Sequence, residues 1–144
     1  MLDIEKMIIL RSVTVFSGLP EQSLAGVAGA LEEKEVMAGE EIIREGDFGD
    51  RLYVVVNGEY EVLKGDQAIA KVGERGVFGE MAVLDPEIRS ATVRATQEGL
   101  LLSLDHYTLE ELMDGNLDLC HGFLKMLCGR LRDANRKLAR TSLS

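Results

Sequence analysis

The chain has 144 residues, 46% of them apolar, with 25 acidic side chains against 16 basic ones and a formal net charge of −9 at neutral pH. That length suits one core and one domain, and that charge opposes binding of the body to nucleic acid or to an anionic membrane surface. No apolar run approaches the roughly eighteen residues of a membrane-spanning helix, and the start MLDIEKMIIL carries acids where a secretory leader needs cations, so a cytoplasmic protein is expected.

Residues 1–34 read as short helices. IEKMIILRSV places its apolar residues on one face, and LPEQSLAGVAGALEE follows Pro20 with Leu24, Val27, Ala28 and Leu31 at helical spacing. The acidic run LEEKE at 31–35 is expected to be a solvated helix end. From 35 to 105 the pattern changes to short β-prone runs punctuated by Gly39, Gly46, Gly58, Gly65, Gly73 and Gly99, which predicts an antiparallel sandwich or jelly-roll barrel. Lys64-Gly65-Asp66 makes a hairpin tip, and Gly58 after a valine run predicts a bend or bulge. Tyr53 and Tyr60 flank that glycine and are expected to pack with their hydroxyls at the surface. Phe16, Phe48, Phe78 and Phe123 are expected in core or hinge packing.

Helical periodicity returns over 106–140, with a short helix in YTLEELMDGN and a long one in LDLCHGFLKMLCGRLRDANRKLAR. In the long helix Cys120, Leu124, Leu127, Leu131, Ala134 and Leu138 repeat with alternating steps of four and three, which is an a/d seam. Such a seam either packs on the protein's own sheet or pairs with a second copy of the chain. Residues 125–140 hold six cations against Asp133 alone, a local charge of +5 that leaves −14 on the remainder. A basic helix end complements its own dipole, so it is read as solvated rather than as a nucleic-acid surface. Cys120 and Cys128 are eight residues apart in this helix, about 12 Å along its axis, too far for a disulfide between them.

The stretch FGEMAVLDPEIRSATVRA, residues 78–95, concentrates the polar chemistry. Gly79 lets a ligand approach the backbone closely. EMAVL can form one helical turn with free N–H groups, Glu80 can accept a hydrogen bond from a hydroxyl, and Arg89 can present a planar fork of donors to two phosphate oxygens, with Ser90 beside it. Together these describe a pocket for one phosphate and one ribose. The alternative is that Glu80 and Arg89 simply pair with each other.

From Ile42 to Met113 the chain resembles the cyclic nucleotide-binding domain family, which includes the catabolite activator proteins and the regulatory subunits of cyclic AMP-dependent protein kinase. The resemblance rests on IIREGDFGDRLYVVVNGEYEV, the glycines of VGERGVFGE, and the phosphate-binding cassette FGEMAVL with RSATVRA, which places the cassette at 78–92. It implies a mainly β fold, an antiparallel jelly roll with short N-terminal helices and a long C-terminal helix. It also implies that Gly79, Met81 and Ala82 offer their backbone to the ribose phosphate, that Glu80 accepts from the ribose 2′-hydroxyl, and that Arg89 binds the cyclic phosphate with Ser90 and Ala91. Val62, Ile69 and Val72 fall where the family places apolar contacts to base and sugar, and Asn135 lies near where bacterial members reach the base. Family members often have proline directly before the arginine. Here Pro86 comes three residues earlier, and Glu87 and Ile88 intervene, so a different loop shape is expected and Glu87 must face solvent to avoid repelling phosphate.

The function this implies is a regulatory sensor of cyclic AMP or cyclic GMP, Ser90 being compatible with either, that relays occupancy through movement of the C-terminal helices. The alternative is an interaction or scaffold domain of the same fold with an empty or altered pocket. No enzyme is expected: His106 and His121 are the only histidines, and neither a P-loop nor a Ser-His-Asp pattern is present. No metal or cofactor is expected either. No DNA-reading helix-turn-helix follows the long helix within these residues, so the output is expected in an effector partner, in dimerisation or in a larger polypeptide.

Overall fold

The structure, a computed structural model, describes residues 1–143, with side chains through Arg140. Two helices, α1 (Asp3–Arg11) and α2 (Glu21–Ala30, with Pro20 at its N-cap), precede the strands β1 (Glu32–Val36), β2 (Glu41–Ile43), β3 (Phe48–Gly49), β4 (Arg51–Asn57), β5 (Tyr60–Lys64), β6 (Gln67–Val72) and β7 (Val77–Phe78). A short helix α3 (Glu80–Leu84) interrupts the strands before β8 (Glu87–Ile88), β9 (Thr92–Ala95) and β10 (Gly99–Asp105), and α4 (His106–Met113) and α5 (Leu117–Leu143) complete the chain. The strands form two four-stranded antiparallel sheets, β1-β10-β4-β7 and β2-β9-β5-β6, and a two-stranded ribbon β3-β8. The fold is the expected jelly-roll type, as two facing sheets rather than a closed barrel.

Period-2 alternation along β4 and β10 divides the core in two. Leu52, Val54, Leu102 and Leu104 face the helices and pack with Leu10, Phe16, Leu24, Val27, Leu109, Leu119 and Phe123. Tyr53, Val55 and Leu101 face the other way, onto Val36, Ile43, Tyr60, Phe78, Val93 and Ala95 between the sheets. A strand covered on both faces reads as a continuous apolar run, which is why YVVV and LLLSL lack polar alternation.

Three sequence readings are corrected. The acidic run is not a helix end: Glu32–Val36 is an edge strand paired residue for residue with Gly99–Ser103, so the sheet begins before the expected boundary at 35. Its glutamates and lysine favour helix locally, but β10 supplies a ladder and the charged side chains of the edge point to solvent. Tyr60 is fully buried, its hydroxyl donating to the Asn57 carbonyl at 3.2 Å, and burial raises its pKa. Phe48 is 66% exposed, on the β3-β8 ribbon. The hairpin reading holds: Gly65, at φ 59°, and Asp66 join β5 to β6.

The C-terminal helices attach through specific contacts. Asp105 caps α4 by accepting from the Thr108 N–H at 2.8 Å, which, with Arg51 and His106 nearby, holds its carboxyl below the usual range. Phe123 of α5 meets Phe16 edge-on at 6.2 Å, and a Cβ on Gly122 would overlap the Val15 carbonyl. Gly129, one heptad on, faces open space. Gly122→Ala is therefore expected to destabilise the fold by about 1–3 kcal/mol through overpacking. Gly129→Ala is expected to stabilise it by roughly 0.5–1 kcal/mol through helix propensity. Urea denaturation of the two variants checks the opposite signs.

Candidate functional site

Strand β7 is followed by Gly79, the N-cap of α3, which adopts φ 81° and turns the chain into that helix. A side chain there would be strained by the backbone and would also collide with the Arg51 carbonyl and sit 3.2 Å from Nη1 of Arg89. Gly49 serves the same guanidinium from the other side, since a Cβ on it would overlap Arg89. The β3-β8 ribbon pairs Gly49 with Glu87, and the Arg89 N–H donates to the Asp47 carbonyl at 2.7 Å, so the arginine's backbone is fixed next to the glycine its side chain crosses. Its Nη2 then donates to the Arg51 carbonyl at 2.9 Å.

The result is a half-buried guanidinium that, among the described residues, forms no ion pair with any carboxylate. Burial pulls its pKa down, opposed by Tyr53, Asp50 and Glu87 at longer range. Arg51, by contrast, reaches Glu32 at 3.6 Å and Asp105 at 3.9 Å. The alternative in which Arg89 merely pairs with Glu80 is excluded, because Glu80 has another partner. Its carboxylate is 7% exposed and pairs through Oε1 with Arg130 of α5, while its Oε2 is buried and accepts no hydrogen bond from the described residues. An orphaned buried carboxylate oxygen is costly and marks a place for a donor.

Arg89, Glu80 and Arg130 line one open cleft of about 440 Å³, within the usual range for small-ligand sites. The backbone of Gly79, Met81 and Ala82 borders it, as do Ser90 and Ala91, so all seven principal residues expected from the sequence meet in one place. The N–H groups of the first turn of α3 lack intrahelical partners and are available there. The apolar wall is Ile43, Val62, Ala70, Val72, Val77, Phe78 and Val93. Val62 and Val72 are where expected. Ile69 is not on the wall but 57% exposed, because alternation along β6 sends Ala70 and Val72 inward and Ile69 outward. Asn135 lies beyond the cleft in the exposed stretch 130–140 of α5, and the described α5 residue that reaches the cleft is Arg130. Glu87 is exposed at the rim, held by strand pairing with Gly49.

Arg130 and Gly49 escaped the sequence reading. The former looked like one cation in a solvated basic run, and only the crossing of α5 over α3 shows that it meets a buried acid. The latter had a signal in the repeated glycines of GDFGD, but no local pattern says which side chain a glycine must let pass.

The model of the family described as Cyclic nucleotide-binding domain matches residues 33–116. The chain belongs to the cyclic nucleotide-binding domain family. Among relatives of this cyclic nucleotide-binding domain, the cAMP-dependent protein kinase type II regulatory subunit of Drosophila melanogaster is 36% identical over 104 residues, covering 72% of this chain and 28% of that protein. The cAMP-dependent protein kinase regulatory subunit of Yarrowia lipolytica is 38% identical, covering 77% of this chain and 31% of that protein. The domain thus spans under a third of the length of these relatives. Among solved structures, the Thermus thermophilus catabolite activator protein superposes with a TM-score of 0.80 at 28% identity, over 90% of this chain and 63% of that one. The regulatory domain of Toxoplasma gondii protein kinase A, solved with cAMP, superposes at 0.69 with 34% identity, over 76% and 44% of the two chains.

An arginine that binds a ligand rather than stabilising the fold leaves a signature in stability. Removing a structural buried ion-pair partner costs about 3–5 kcal/mol, whereas Arg89 is desolvated without such a partner. Arg89→Met is expected to unfold, without ligand, within about 1 kcal/mol of the wild type or to be more stable. Chemical denaturation of the ligand-free protein checks this.

Proposed function

We propose that this domain is a regulatory sensor that binds a cyclic purine mononucleotide, cAMP or cGMP, and relays its occupancy through the C-terminal helices. The observation that carries the reading is the pairing of unmet needs in the cleft: among the described residues Arg89 forms no ion pair and Glu80 Oε2 accepts no hydrogen bond. A ribose cyclic phosphate supplies both, an anion for the guanidinium and a 2′-hydroxyl for the carboxylate. Gly79, Met81 and Ala82 contribute backbone around the phosphate, Ser90 and Ala91 extend the Arg89 side, and Ile43, Val62, Ala70 and Val72 shelter the base. That the Toxoplasma relative was solved with cAMP supports the ligand class. No bond is made or broken, no cofactor is needed, and a cytoplasmic setting fits.

The relay runs through Arg130. In the present arrangement it holds Glu80 through Oε1, so a ligand hydroxyl that donates to Oε2 shares the carboxylate with the contact that ties α5 to the pocket. A ligand shifts such an equilibrium only by its differential affinity for the two arrangements. Beyond the pocket, α5 exposes Leu124, Leu131 and Leu138 at 56, 65 and 65%, spaced one heptad apart, with Cys120, Leu127 and Ala134 on the adjoining d positions. We assign this seam to a second copy of the chain, paired in parallel. Arg130 then occupies a g position and Cys128 and Asn135 e positions, so parallel pairing sets cations against uncharged residues, whereas antiparallel pairing sets g against g. Effectors beyond that lie in a partner or in a larger polypeptide of the kind the relatives represent.

Isothermal titration is expected to show saturable binding of cAMP or cGMP, weakened in Arg89→Ala by roughly 2–5 kcal/mol. No binding at millimolar nucleotide would leave a scaffold domain with an altered pocket as the function. In sedimentation, the wild type is expected to dimerise and Leu124→Glu/Leu131→Glu to remain monomeric; a wild-type monomer with and without nucleotide would remove the second copy from the reading.

A further inference from the structure

The cassette helix α3 ends with carbonyls that have no intrahelical partners, as every helix does. One of them, the Val83 carbonyl, faces Nδ1 of His106 at 2.7 Å. The other ring nitrogen, Nε2, faces Oε1 of Glu110 at 3.0 Å. Both neighbours are acceptors. A neutral imidazole carries one N–H and satisfies only one of them, leaving a lone pair against an oxygen on the other side; the doubly protonated ring donates to both. His106 is the first residue of α4, so the ring joins the end of the nucleotide cassette to the start of the C-terminal helices.

We propose that His106 is a positioning residue for the cleft: bridging the Val83 carbonyl and the Glu110 carboxylate, it holds α3 in place and so sets nucleotide affinity. This rests on the proposed function only for its affinity readout. The physical argument is preorganisation. The N–H groups offered to the ligand start at one end of a five-residue helix, and His106 anchors the other end, so fixing the carbonyl end reduces the ordering that binding must impose.

Two measurements test it. Amide hydrogen exchange by NMR, corrected for its intrinsic pH dependence, reads the protection of residues 80–84 in the ligand-free protein. The expected result is protection that is high in the wild type and in His106→Asn, whose amide keeps a donor near the Nδ1 position, and low in His106→Leu. Titration with cAMP and cGMP is expected to show affinity about 3- to 10-fold weaker in His106→Leu than in the wild type, with His106→Asn restored toward the wild-type value. Protection and affinity profiles identical in wild type, His106→Asn and His106→Leu would overturn the proposal. If exchange behaves as expected and no variant binds either nucleotide, the positioning role stands and the nucleotide reading falls.

Discussion

A guanidinium kept half out of water and, among the described residues, ion-paired to no carboxylate is the constraint around which the rest of this fold is arranged. Arg89 has to cross two backbone segments to reach the cleft, and each crossing removes a side chain, at Gly49 and at Gly79. Its backbone has to be pinned, which the β3-β8 ribbon does, and among the described residues the guanidinium's hydrogen bond goes to a carbonyl rather than to an acid. A neutral acceptor fixes the direction of the group without cancelling its charge. The protein therefore retains an electrostatic need that an anion can meet.

Glu80 is the complement of that arrangement on the opposite wall. The buried carboxylate is only half satisfied, and its satisfied half is held from outside the sheets by the long helix. The sandwich supplies rigidity because β4 and β10 are buried on both faces, tying the cleft's floor to the helical layer through one shared sheet. Beside the apolar packing of Val83 and Leu84 in the helical core, the cassette meets the C-terminal helices through polar links, Glu80 to Arg130 and Val83 to His106. Polar links of this kind exchange partners at low cost, whereas a packed apolar interface does not. Such contacts suit a joint that must respond to a small ligand.

Much of this was legible in the chain itself. The glycine spacing and β-prone runs identified the jelly roll, and the seven residues of the cassette, from Gly79 to Ala91, come together in one cleft as their order suggested. The misreadings have physical causes. EEKEV favours helix locally, and only the apolar ladder of β10 makes it a strand. Ile69 and Asn135 were placed by analogy of position, and the pleat of β6 and the length of α5 carry them elsewhere. Arg130 was invisible because its role depends on a partner fifty residues away in the chain.

Local chemistry determined the class of fold, the location of the cassette and the type of ligand it can attract, because hydrophobic periodicity, glycine turns and the donor geometry of arginine are properties of short segments. The tertiary structure alone decided which charges are spoken for. Whether an arginine is neutralised or left waiting depends on which acids the folded chain brings within a few ångströms, and no pattern along the backbone records that. Here folding sent Arg51 to Glu32 and Asp105 and Arg130 to Glu80, and left Arg89 facing the cleft.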